Sequence, residues 1–116
     1  MTFNRDQFRS LIEGDRDLFS SLLELFEADW EGLIEVIRQS IDSGDGKALE
    51  QAAHRLKGNL RNFYASSAAE IAQSLESSGN SGSFGNKQDL KKMADDLREE
   101  IKRLLIELHQ FLNEMA

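Results

Sequence analysis

The sequence predicts an all-α fold: an antiparallel up-down four-helix bundle with one or two additional short helices at the amino terminus. Three observations lead there. Apolar residues recur at three- and four-residue spacing along nearly the whole chain, the period of an amphipathic helix and not of a strand. The 116 residues contain no proline, so no helix interior is broken by one. Cap-forming Asn, Asp, Ser and Gly cluster at a few places, where the brief connections of such a bundle belong.

The first helix is expected from after Asn4 to about Ile12, because Asn4 and Gln7 have capping-box spacing. Gly14-Asp15 stops it and caps a second, which carries Leu18, Leu22, Leu25 and Phe26 to about Ala28. A third continues through Trp30, Leu33, Ile34, Ile37 and Ile41 and ends at Ser43-Gly44. Asp45 caps a fourth over residues 46–64, and Ser67 with Glu70 forms the capping box of a fifth that turns Ala68, Ile71, Ala72 and Leu75 inward. Residues 77–86, rich in Ser, Gly and Asn, are expected as a flexible surface loop. The last helix, residues 87–115, sets Leu90, Ala94, Leu97, Ile101, Leu104, Leu108, Phe111 and Leu112 on one face. Residues 1–116 are one domain by length, with 1–28 as amino-terminal helices and 29–116 as the bundle.

Bulk properties narrow the function. A formal net charge of -7 argues against nucleic acid, whose binding needs a dense basic surface. The absence of cysteine removes disulfides, thiolate metal sites and thiol nucleophiles together. No apolar stretch approaches about 18 residues and no basic, apolar leader is present, so a cytoplasmic protein without a membrane span is expected.

The run Ala53-His54-Arg55-Leu56-Lys57-Gly58 is the most informative segment. Glycine in a helix interior costs about 1 kcal/mol relative to alanine, so Gly58 needs a reason. Leu49, Ala52, Ala53, Leu56, Leu60 and Phe63 form one apolar stripe, and His54 lies roughly 140° from Leu49 at about 100° per residue. His54 therefore faces outward, with Lys57, Gly58 and Arg61 on its sector and Lys47 one to two turns earlier. An accessible imidazole with bare backbone one turn on and an ammonium beside it suits a phosphoryl group carried on nitrogen.

This segment, followed by Arg61-Asn62-Phe63 and Ala65, resembles the signature of histidine-containing phosphotransfer (HPt) domains, approximately Ala-His-x-Leu-Lys-Gly. Gly44-Asp45 before it and Ala68 to Leu75-Glu76 after it also fit the family's layout. Three positions depart: Asn59 and Leu60 stand where small residues are common, and Tyr64 stands where the family usually has glycine. The resemblance implies a phosphorelay intermediate of two-component signal transduction. A receiver domain would present a phosphorylated aspartate with its Mg2+, His54 would accept the phosphoryl group reversibly, and another receiver would take it on. Lys57 would stabilise the phosphate oxygens, Gly58 would give steric access, and Arg61 is a weaker candidate for the electrostatic role. The implied partners are response-regulator receiver domains and/or a hybrid sensor histidine kinase. No cofactor of its own and a monomeric state are expected, with Mg2+ on the receiver.

Rival readings are a helical adaptor that binds a signalling protein without carrying phosphate and a metal-binding bundle. The second lacks the inward Glu-x-x-His pairs such sites use. His109, flanking the last apolar stripe, reads as a boundary histidine, and Phe84 and Ile106 as apolar residues off the main core pattern. No phosphate-cradling glycine loop or kinase signature is present, so a phosphotransfer protein and not a kinase is expected.

Overall fold

The computed structural model describes residues 2–82 and 84–115. Among these, five helices and no strand are found: α1 (Arg5–Ile12), α2 (Arg16–Ser43), α3 (Gly46–Asn62), α4 (Ser66–Ser81) and α5 (Lys87–Glu114). Side-chain caps begin four of them. Asn4 accepts from the amide of Gln7, Asp15 from Leu18, Asp45 from Ala48 and Asn86 from Gln88, each filling an otherwise orphaned donor. α4 is the exception: its N-cap is Ala65, which has no side chain to cap with, so the Ser67–Glu70 box is not used.

Two boundaries differ from the sequence reading. The break expected near residue 28 is absent, and Ala28-Asp29-Trp30 lie inside a continuous 28-residue α2. Phe19, Leu23, Phe26, Trp30, Ile34, Ile37 and Ile41 keep one buried face throughout, so nothing favours a break. Residues 1–28 are accordingly not a separate amino-terminal unit, and α1 alone precedes the long helices. The loop expected over 77–86 is also shorter, because α4 runs to Ser81; Ser83 lies outside the described residues. The hydroxyls of Ser74 and Ser78 bond back to the carbonyls of Glu70 and Ser74, and Gly79 is buried.

Gly79 is where α4 comes nearest α3. A Cβ there would lie 2.6 Å from both the Gly46 carbonyl oxygen and the Glu50 amide nitrogen. A Cβ on Gly46 would lie 2.8 Å from the Gly79 carbonyl oxygen. Backbone meets backbone at this crossing, which only glycine permits.

α2 packs on α3 and α5, and α4 packs on α3 and α5. The side-chain pairs between α2 and α5, Glu27–His109, Arg38–Asp95 and Asp42–Lys91, run in opposite chain order, as do His54–Glu76 and Lys57–Gln73 between α3 and α4. At about 1.5 Å per residue α2 and α5 each reach about 42 Å, matching the 47 Å long axis. α1 closes one end. Phe8 is fully buried and its ring centroid lies 4.8 Å from Phe19, 5.5 Å from Phe63 and 6.2 Å from Phe111. Phe84 is partly buried against the core, whereas Ile106 is exposed.

Candidate functional site

α3 buries Leu49, Ala52, Ala53, Leu56 and Leu60 and turns the opposite face to solvent. His54 lies on that outer face with its side chain 68% exposed. Its Nδ1 is 2.8 Å from Oε2 of Glu76 on α4. The second carboxylate oxygen, Oε1, is 2.6 Å from the Lys57 ammonium. Lys57 also donates to Gln73 Oε1 at 2.9 Å. A single carboxylate thus bridges the imidazole and the lysine.

The state of Glu76 determines the chemistry of the ring. Burial pushes its carboxyl up, but the hydrogen bonds and charges of Lys57 and His54 outweigh that and hold it below the usual carboxylate range. An ionised carboxylate only accepts hydrogen bonds, so Nδ1 of a neutral His54 carries the proton and donates it to Glu76. The lone pair is then on Nε2, which has no hydrogen-bond partner among the described residues.

Lys57 is placed differently from its expected position on the exposed sector. It is only 8% exposed, because α4 lies close enough for Glu76 and Gln73 to engage its ammonium. Gly58 is on the open face as expected: a Cβ there would meet nothing within 4 Å, and its backbone is helical. Nothing inside the protein requires glycine at that position. Arg61, one turn beyond Lys57, is exposed and lines a small hollow with Ser66, Ala69, Glu70 and Gln73. Lys47 is exposed near the start of α3.

The three departures from the family pattern have definite places. Leu60 is fully buried in the core. Asn59 Nδ2 lies 3.5 Å from Oδ2 of Asp29, the carboxylate that also pairs with Arg55 Nε at 3.0 Å. Tyr64 adopts φ +55°, the left-handed region in which glycine is favoured, and its carbonyl accepts from the amide of Asn4 at 3.1 Å. Beside the site a groove of about 410 Å3 runs between α2 and α3, lined by Leu22, Leu25, Phe26, Arg55, Asn59 and Phe63 among others.

Gln73 and Asp29 were not singled out by sequence reasoning, and Glu76 entered it as part of the family's layout without a role. Glu76 stands 22 residues from His54, a separation that carries no periodic signal. Apart from that layout, the trace in the sequence is a polar pair, Gln73 and Glu76, one position after the inward Ala72 and Leu75. His109 is half-exposed, with Nε2 3.0 Å from Glu27 Oε1, as a boundary histidine should be. Among the described residues no three His, Asp or Glu side chains gather as a metal site.

His54 is thus an exposed imidazole held at one nitrogen by a carboxylate on an all-helical scaffold, with its other nitrogen open. The Hpt domain model matches residues 21–114, and the chain belongs to the Hpt domain family. Its role is that of a histidine phosphotransfer carrier in a phosphorelay. The crystal structure of histidine-containing phosphotransfer protein B (HptB) from Pseudomonas aeruginosa PAO1 is similar in fold, with a TM-score of 0.84. The match covers 99% of this chain and 97% of that chain at 24% sequence identity. Among curated protein sequences, none matches.

Proposed function

We propose that His54 is the phosphoryl acceptor, that Nε2 is its nucleophilic atom, and that α2 to α5 serve as an up-down four-helix bundle presenting it. The observation that carries this reading is the 2.8 Å contact between Nδ1 and the ionised Glu76, which reserves the lone pair for Nε2. A receiver domain, whose own site supplies Mg2+, presents a phosphorylated aspartate over the exposed face of α3. Nε2 attacks phosphorus, the acyl phosphate P–O bond breaks, and the aspartate leaves as carboxylate. The ring gains positive charge as the P–N bond forms, and Glu76 compensates it across the Nδ1–H hydrogen bond. Return of the phosphoryl group to a second receiver is the same step reversed.

Lys57 is the local cation for the phosphoryl oxygens, reaching them by exchanging its contacts with Glu76 and Gln73. Arg61 is a more distant candidate for that task, and Gly58 leaves the approach clear. Partners are receiver domains and/or a hybrid sensor histidine kinase. The protein itself acts as a monomeric cytoplasmic carrier, without a cofactor or kinase chemistry of its own. A purely adaptor role would leave the Glu76-oriented imidazole without a use.

Incubation with a phosphorylated receiver, followed by intact mass measurement at neutral or alkaline pH, tests the assignment. One phosphoryl group is expected, labile in acid and stable in base. His54→Gln should abolish it with an unchanged helical circular dichroism spectrum; label persisting in that variant would move the acceptor elsewhere.

A further inference from the structure

We propose that Gln73 is a positioning residue of the transfer, the pivot on which the Lys57 ammonium turns when it leaves Glu76 for the phosphoryl oxygens. The proposal rests on the reading of His54 as acceptor and of Lys57 as its cation.

Four side chains meet across the antiparallel pair of α3 and α4. His54 and Lys57 are three residues apart on α3, and Gln73 and Glu76 three apart on α4, so each pair shares one face of its helix. His54 reaches straight across to Glu76 at 2.8 Å, and Lys57 straight across to Gln73 at 2.9 Å. The 2.6 Å contact between Lys57 and Glu76 is the diagonal of this square. An ammonium that gives up the diagonal frees the N–H aimed at the level of His54 and keeps the one that anchors it to Gln73.

Burial makes that anchor necessary. Lys57 is 8% exposed, so water has little access to its ammonium, and among the described residues its acceptors are Glu76 and Gln73 alone. A buried cation that loses one partner without replacement is strongly destabilised, so Gln73 has to carry the ammonium through the exchange. A neutral amide suits the task. The carboxylate of Glu76 cancels the charge it holds, whereas an amide oxygen accepts the hydrogen bond and leaves the positive charge for the phosphoryl group. The amide meets Lys57 oxygen first, because its Nε2 donates to Ser77 Oγ at 3.2 Å, one turn further along α4. Gln73 is exposed and outside the core, so packing does not account for this arrangement.

The test follows label on His54 from two donors: a receiver domain phosphorylated with acetyl phosphate, and phosphoramidate, a small nitrogen-phosphoryl donor that needs no docked protein. The proteins are the parent, Gln73→Met, Gln73→Ala, Lys57→Ala and the double variant Lys57→Ala with Gln73→Met, each checked for helical circular dichroism. In Gln73→Met and Gln73→Ala the single-turnover rate at saturating receiver should fall about tenfold, with the receiver concentration at half-saturation unchanged. Phosphoramidate labelling should slow by the same factor. On the Lys57→Ala background the Gln73 substitution should change nothing further, the non-additivity of two residues that act as one. Parental rates in both Gln73 variants would overturn the proposal while label on His54 leaves the acceptor reading standing. A loss confined to the receiver would make Gln73 a docking contact, and a loss that persists undiminished without Lys57 would mean that Gln73 does not act through the lysine; either result overturns the pivot. A parent that carries its label elsewhere, or takes none from either donor, sinks the acceptor reading and the pivot together.

Discussion

His54 is oriented by a carboxylate on another helix. Its outward direction and the open glycine four residues on were legible from spacing along one helix, because both are properties of a single cylinder. Glu76 and the burial of Lys57 were not, since they depend on how α4 lies against α3. The same carboxylate makes stability depend on pH. The folded pKa of Glu76 is depressed, so its contribution is fully present above the ordinary glutamate value of about 4.3 and is lost as pH falls through the lower folded value. Urea unfolding at pH 7, 5, 4 and 3 should therefore show the parent losing more stability across the acid range than Glu76→Gln. Parallel pH profiles for the two proteins would remove Glu76 from the ionic account. In the left-handed backbone of Tyr64 there is also a physical reason for the family's usual glycine at that position.

Among the helices, the sequence reading located nearly every start, because Asn4, Asp15 and Asp45 are residues whose side chains fill orphan amides. It failed where local composition and tertiary packing disagree. Residues 77–81 look like a loop by content, yet the burial of Gly79 against α3 keeps them helical. Two glycines should consequently respond to alanine with opposite signs. Gly58→Ala meets open space and should stabilise by up to about 1 kcal/mol through helix propensity. Gly79→Ala would drive a methyl group into the backbone of Gly46 and Glu50 and should destabilise by roughly 1–3 kcal/mol. Chemical denaturation of the two variants beside the parent checks both. A stabilised Gly79→Ala would mean that the helices separate there at little cost.

Across the whole molecule, the cluster of Phe8, Phe19, Phe63 and Phe111 ties α1 to one end of the long helices. The apolar pattern set Phe63 and Phe111 on inward stripes, but the convergence of all four rings on α1 needed the path of the chain. Phe8→Ala should cost about 3–5 kcal/mol in denaturant unfolding, since a fully buried ring leaves a cavity. Below its melting temperature the variant should nonetheless transfer phosphate at close to the parental rate, and a large rate loss in the folded variant would show that the end cluster governs the site. The expectation follows from the crossing of Gly46 and Gly79. Glu50 lies one turn from His54, and Gly79 lies less than one turn from Glu76, so the imidazole and its carboxylate are aligned through lever arms of about 5 Å. The crossing works as a detent. Sliding α4 along α3 by a turn, so that Leu75 or Glu76 took the place of Gly79, would withdraw Glu76 from His54 and press a side chain into the notch, which holds the axial alignment of the two residues.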